Sequence, residues 1–263
     1  MTLVVSDISI HGIIMVGDSA VTRRSAFGVT VAADAVKVQY CSKANIGFAL
    51  WGNAGTGSSR MDSWLNQFIQ NQIQSNDSVE GIGKKLADSL NTELAKVNMP
   101  WKDLVRGIHL SGYRDALPIL FHIHNGHDNE PAHELRLYKD YPDDQNWSEH
   151  HYQFLLGYAF IHLRNGYHPL FGPLFKRALD YAAELRANYN ITFPQNNLQG
   201  RFEFYKLLVK FVAGTLIASG LHPGVNDTLS AIAFNRSGLV IDERLTLPPA
   251  SGGGRTSILD EIL

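Results

Sequence analysis

A threonine stands directly behind Met1, and Asp18 and Lys37 follow it at or near the ends of short apolar runs. Once Met1 is removed, Thr2 carries a hydroxyl and a free α-amine, which makes a nucleophile and a base out of one residue. An N-terminal amine has an ordinary pKa near ~7.7–8, so much of it is unprotonated at neutral pH and able to take the proton of the hydroxyl beside it. No histidine partner is then required. A protonated lysine close by lowers the pKa of both groups, and a carboxylate keeps that lysine charged and oriented. Lys37 and Asp18 are the candidates for these two roles, and the chemistry they point to is acyl transfer from an amide to Thr2.

These residues need strands to position them, and the pattern supplies strands. Thr2 to Ser9 and Gly12 to Val16 are β-rich runs around the turn Ile10-His11-Gly12, and Val29 to Gln39 and Asn45 to Trp51 are further strands. "GNAGTGSS" breaks the pattern, and the spacing predicts helices over Arg60 to Ile73 and Val79 to Val97. The second carries Ile82, Leu86, Leu90 and Leu94 as a core stripe. "LVRGIHLSGY" and "LPILFHIHNG" read as a hairpin, "HELRLYKDY" and "HYQFLLGY" as strands, and Leu170 to Tyr189 and Phe202 to Ala218 as a second helix pair. "TLSAIAFNRSGLVID" closes the pattern with two strands around Ser237-Gly238. Strands, two helices, strands, two helices, strands is not a βαβ alternation. It predicts an α+β fold, a four-layer αββα sandwich of two antiparallel sheets flanked by helices. One domain is expected over 1–247, with 248–263, of linker composition, as a C-terminal tail.

The 263 residues carry 23 basic and 25 acidic side chains, well mixed, so no strong field favours nucleic acid or an anionic membrane. A single cysteine, Cys41, excludes an internal disulfide framework and a cysteine-based zinc site. With no basic n-region ahead of an apolar stretch and no bilayer-length apolar run, a cytoplasmic protein is expected. His122 and His124 share one face of a strand in "FHIHNGHDNEPAH", but no second shell accompanies them, so no metal is expected. "GNAGTGSS" lacks the lysine of a phosphate-binding loop, and Arg23-Arg24 reads as a solvated loop. No cofactor is expected.

The stretches "MTLVVS", "HGIIMVGDSAVT", "AVKVQY" and "IGFALWGNAG", in this order, resemble the proteasome β-type peptidases and their bacterial two-component counterpart, the threonine peptidases among the N-terminal-nucleophile (Ntn) hydrolases. Asp18 lies 16 positions after Thr2, as in that family, while Lys37 and Gly52 come a few residues late, which a longer loop from Arg23 to Thr30 absorbs. The resemblance implies a threonine-type endopeptidase with Thr2 as nucleophile, its own amine as base, and Asp18 and Lys37 as electrostatic support. The backbone N–H of Gly52 would stabilise the oxyanion, a contribution of about 3–4 kcal/mol. It further implies that Thr22 and Ala54 pair with substrate backbone, and that Val21, Ala35, Leu50 and Ala54 wall an apolar specificity pocket. Implied partners are a peptide or unfolded-protein substrate, copies of the same chain in a homo-oligomeric ring, and an ATP-dependent unfoldase.

The family's supporting serine falls on "FLLGYAF", which holds Gly157 and no serine, and its partner aspartate has Ser219, His222 and Asp227 as alternatives. The stretch from Phe171 to Leu216 is longer than the family's helical pair, with "NITFPQNNLQG" as an insertion. Two other readings stay open: an Ntn amidase acting on a small acyl-amide, and a catalytically silent ring or scaffold subunit.

Overall fold

The computed structural model describes residues 2–25, 28–52, 54–55, 59–97, 105–126, 135–141, 161–165, 168–219 and 228–245. In chain order these form β1 (Val4–Ser9), β2 (Gly12–Asp18), β3 (Ala20–Ser25), β4 (Gly28–Asp34), β5 (Val38–Cys41), β6 (Ile46–Gly52), α1 (Met61–Gln72) and α2 (Val79–Leu94). There follow β7 (Arg106–Arg114), β8 (Leu117–His124), β9 (Arg136–Tyr141), β10 (Ile161–Asn165), α3 (His168–Tyr189), α4 (Leu198–Ala218), β11 (Leu229–Asn235) and β12 (Gly238–Glu243).

Two five-stranded antiparallel sheets result, in the orders β10-β1-β2-β11-β12 and β5-β6-β7-β8-β9. Strand alternation sorts the apolar residues into three cores. Val4, Ile8, Ile13, Met15, Ile232 and Phe234 of the first sheet meet Val38, Ala49 and Leu120 of the second between the sheets. Leu3, Val5, Ile14 and Val16 face the other way, against α4. Ile46, Phe48, Leu50 and Ile108 lie under α1 and α2, where Ile82, Leu86, Leu90 and Leu94 form the stripe the spacing predicts. These are the four layers of an αββα sandwich. β2 is buried along its whole length, which is why "GIIMVG" reads as a continuous apolar run rather than an alternation. Among the described residues no helix is long and apolar enough to cross a membrane.

Several boundaries differ from expectation. The stretch from Val29 to Gln39 is not one strand. β4 pairs with β3 in a separate two-stranded hairpin, and after residues 35–37 the chain enters the second sheet as β5. The break is enforced by tertiary groups, since the Ala35 N–H donates to the Ser19 carbonyl at 2.7 Å and the Val36 N–H to the Asp62 carboxylate at 3.0 Å. Arg23 and Arg24, read as a loop, are on β3, in register with Thr30 and Val29; the β-branched residues on both strands favour the pairing. α4 begins four residues earlier than its apolar pattern because Asn197 caps it, accepting from the Gly200 N–H at 2.7 Å. The expected strand "HYQFLLGY" and the tail lie outside the described residues, and β1 pairs with β10 on the side away from β2.

One buried charge ties the outer helix to the first strand. Asp7, on the helix-facing side of β1, is fully buried and accepts from Arg201 Nη2 at 2.8 and 2.9 Å and from the Tyr205 hydroxyl at 2.8 Å. Arg201→Met is expected to cost about 3–5 kcal/mol in chemical denaturation, because it strands a buried carboxylate. Removing both charges in Asp7→Asn/Arg201→Met is expected to cost less than the sum of the single changes, and a strictly additive result would show that the two groups do not act as a pair.

Candidate active site

Asp18 closes β2, fully buried, and its carboxylate collects three donors. Oδ1 accepts from the Leu3 N–H at 2.7 Å and from Lys37 Nζ at 2.9 Å, and Oδ2 accepts from the Ala20 N–H at 3.1 Å. The Leu3 nitrogen belongs to the peptide bond that joins Thr2 to Leu3. One oxygen therefore anchors both the Lys37 ammonium and the peptide plane next to Thr2. The Asp18 N–H donates to the Leu3 carbonyl at 3.0 Å, so Leu3 is clamped from both sides. Leu3 faces α4, and the alternation of an extended chain turns the preceding side chain toward the inter-sheet side; Thr2 is 6% exposed.

Lys37 reaches this point from the segment between β4 and β5. Gly17 lies beside it: a Cβ at Gly17 would stand in ordinary contact with Lys37 Cβ at 3.6 Å but crowd Val4 Cγ1 at 3.0 Å. The Lys37 carbonyl accepts from the Leu50 N–H at 2.8 Å, which fixes the lysine backbone to β6. Burial pulls the Lys37 pKa below its ordinary 10.5, opposed first by Asp18 and then more weakly by Asp62 and Asp34. The charge is thus held in a desolvated place by one direct carboxylate and two more distant ones.

β6 ends two residues beyond Leu50 at Gly52. Its φ of +87° lies in the left-handed region, and a Cβ there would stand 2.5 Å from the Val105 carbonyl oxygen and 2.6 Å from Arg106 Cα. Only glycine fits, both in conformation and in space. Ala35 is buried, Val21 is half-buried and in register with Ala33, and Thr22, also on β3, is in register with Val31 of β4. Ala54 is half-buried, and its carbonyl accepts from the Met61 N–H at the start of α1. Leu50 is buried in the core under α1 and α2. Ser219 caps the C-terminus of α4, its hydroxyl donating to the Leu216 carbonyl, whereas Gly157, His222 and Asp227 lie outside the described residues.

A second carboxylate, missed in the sequence, organises the approach to Lys37. Asp62, buried at the start of α1, accepts from the Val36 N–H at 3.0 Å and from both the Nε and Nη2 of Arg60 at 3.1 and 2.6 Å. The Asp62 carbonyl receives the Gln39 amide at 2.7 Å, and Arg60 also donates to the Asp34 carbonyl. No spacing rule marks Asp62, and the only local signal is an acidic residue in the first turn of a helix. Asp62→Ala is expected to lower stability by about 2–3 kcal/mol, the cost of leaving the Val36 N–H and the Arg60 guanidinium without their acceptor. Asp62→Asn, which keeps one acceptor oxygen, is expected to lose less; equal losses in thermal and chemical denaturation would rule out the hydrogen-bond account.

The histidines form a stack rather than a ligand set. His122 and His124 lie with ring centroids 4.1 Å apart, His122 Nε2 accepts from Trp51 Nε1 at 2.9 Å, and His109 Nδ1 lies 2.9 Å from the Ser6 hydroxyl. Among the described residues no group of three His, Cys, Asp or Glu side chains is placed to hold a metal ion. A cleft of about 390 Å³ opens between β5, α1 and the end of β12, lined by Val36, Tyr40, Asn66 and Arg244 among others. Thr2, Asp18, Lys37 and Gly52 are not part of its lining.

No protein-family model matches the sequence, and no curated protein matches it. Solved structures do match. An Anbu (Gly-1) mutant from Hyphomicrobium sp. strain MC1 superposes with a TM-score of 0.56 at 12% identity, over 93% of this chain and 86% of that one. Anbu, described as an ancestral beta-subunit, from Yersinia bercovieri gives 0.53 at 13% identity, over 89% and 81%. A further Anbu structure from the same Hyphomicrobium strain gives 0.50 at 12% identity. The chain therefore has the proteasome-like Ntn-hydrolase fold. These matches correct the family named from the sequence. Without a family match, and with Anbu as the structural likeness, the chain is not assigned to the proteasome β-type peptidases or their two-component counterpart. The quoted stretches fit what this backbone requires, a strand-led start and a glycine at the end of β6, and such requirements belong to a fold rather than to one family.

Proposed function

We propose that this chain is an Ntn hydrolase that cleaves an amide bond through an acyl-enzyme on Thr2. The observation that carries the reading is the double use of Asp18 Oδ1, which binds the Lys37 ammonium and the Thr2–Leu3 peptide nitrogen together. In the proposed reaction the Thr2 amine, freed by removal of Met1, takes the proton of the Thr2 hydroxyl as Oγ bonds to the substrate carbonyl carbon. The carbonyl oxygen gains the negative charge and is met by the Gly52 N–H. Collapse breaks the C–N bond, and the leaving amine departs with the proton held by the Thr2 amine. Water then opens the ester, with the same amine as base. Lys37 holds a positive charge beside the reacting hydroxyl and Asp18 holds Lys37. The small apolar residues Val21, Ala35 and Ala54 support a peptide or acyl-amide with an apolar acyl side chain, laid in extended form along β3.

The test is intact mass of the purified protein before and after exposure to a peptide vinyl sulfone. The expected result is loss of Met1 and one stoichiometric adduct that maps to Thr2. A retained Met1 would overturn the reading in favour of a silent scaffold, and an adduct at another residue would overturn Thr2 as the nucleophile.

A further inference from the structure

We infer that Arg106 is a positioning residue for the oxyanion donor: its backbone pairs with Gly52 and its guanidinium holds the Gly55 carbonyl, so the backbone on both sides of the turn after the Gly52 N–H is fixed by one residue. The inference rests on the hydrolase reading above.

Arg106 opens β7 and is fully buried, an unusual place for a guanidinium. Its backbone is in register with Gly52, whose φ is positive and where a Cβ would stand 2.6 Å from Arg106 Cα. The side chain also reaches Gly55, beyond Gly52 in the chain, where Nη1 donates to the carbonyl. Asn125 keeps the Arg106 main chain in place, accepting its N–H at 2.8 Å through Oδ1 and donating its own N–H to the Arg106 carbonyl at 3.3 Å. The loop is thus tied at Gly52 by strand pairing with Arg106, at Ala54 by the Met61 N–H, and at Gly55 by Arg106 and by a bridge to Arg60.

Two consequences follow from charge and shape. Burial pushes the Arg106 pKa down to about 10, so the group keeps its charge at neutral pH. A fixed buried cation behind the loop orients the peptide dipoles in front of it without reorganisation during the reaction, which is the condition under which an oxyanion donor is most effective. The planar guanidinium also sets the carbonyl direction in a way that one ammonium does not.

Two covalent probes separate this role from simple structural support. With a peptide β-lactone, Thr2 Oγ attacks the lactone carbonyl, the ring C–O bond breaks, and the released ring oxygen takes the proton; the path runs through an oxyanion. With a peptide vinyl sulfone, Oγ adds to the β-carbon and the α-carbon takes the proton, with no carbonyl oxyanion on the path. Second-order labelling rates are read by intact mass. Arg106→Met is expected to slow the lactone by about 100-fold and leave the vinyl sulfone rate unchanged. Arg106→Lys, which keeps the charge but loses the fork, is expected to show the same selectivity with a smaller loss, and it carries the test alone if Arg106→Met does not fold. Variants slowed equally toward both probes, or toward neither, would overturn the positioning role while leaving Thr2 as the nucleophile. A wild type that reacts with neither probe would overturn both.

Discussion

Thr2→Ala is expected to abolish amide hydrolysis and covalent labelling, a loss of about 10⁴-fold or more, while the protein folds as before. The hydroxyl oxygen, the proposed nucleophile, is the only polar atom removed. Alanine, like threonine, is small enough to permit methionine removal, so the variant keeps a free α-amine and isolates the hydroxyl. The anchoring hydrogen bonds at this end of β1 are made by Leu3 and Asp18, not by the Thr2 side chain: the Leu3 N–H meets Asp18 Oδ1 and the Leu3 carbonyl meets the Asp18 N–H. Stability should therefore change little. Thr2→Ser keeps hydroxyl and amine and is expected to retain partial activity. Turnover of a fluorogenic peptide, with circular dichroism in parallel, reads both quantities. Full activity in Thr2→Ala would remove the nucleophile assignment outright.

The second large effect belongs to Lys37, where activity and stability should part company. Lys37→Met removes the buried charge held at Asp18 Oδ1 and, on the proposed mechanism, is expected to cost about 10²–10³-fold in kcat. It also leaves Asp18 buried with only the Leu3 and Ala20 N–H groups as partners, a loss of about 3–5 kcal/mol. Asp18→Asn in the same chain should restore part of that stability, because the stranded charge is gone, and none of the activity, because the ammonium is still missing. Lys37→Arg is expected to fail as well, since a planar guanidinium does not place one compact charge at Asp18 Oδ1. Small, additive effects of Lys37→Met and Asp18→Asn on kcat would place the catalytic charge elsewhere.

Acidity gives an independent check on the same residue. The Lys37 pKa is lowered by burial, so activity should fall on the alkaline side at a pH below the ordinary lysine value of 10.5 as the ammonium is lost. Between the folded pKa and 10.5 the unfolded chain holds the proton that the folded chain has released, so this group makes stability rise with pH across that window. Activity lost while this contribution to stability grows is not lost through unfolding. The alkaline limb is expected to disappear in the residual activity of Lys37→Met; an unchanged limb would assign it to another group.

Much of this site is legible in the sequence because it depends on residue type and short-range order. A threonine behind Met1, an acid at the end of an apolar strand, a lysine before Val38 and a glycine at the end of the fourth strand-like run of the reading are all visible in line, and so is the leucine stripe of α2. Fold constraints of that kind do not distinguish one family from another, which is why the same stretches led to the wrong family and the right architecture. Tertiary structure decided the rest. Asp62 reaches Val36 across 26 positions, Arg106 reaches Gly55 across 51, and Arg201 reaches Asp7 across 194. Each is an ordinary charged side chain with no local period to mark it. It is buried only because the second sheet, α1 and α4 close over it, and a buried charge acquires its partner from whichever backbone or side chain the fold brings within hydrogen-bond reach. The break between β4 and β5 has the same origin, since residues 35–37 carry a strand-like pattern but find their acceptors in Ser19 and Asp62 rather than in a neighbouring strand, and that exchange delivers Lys37 to Asp18.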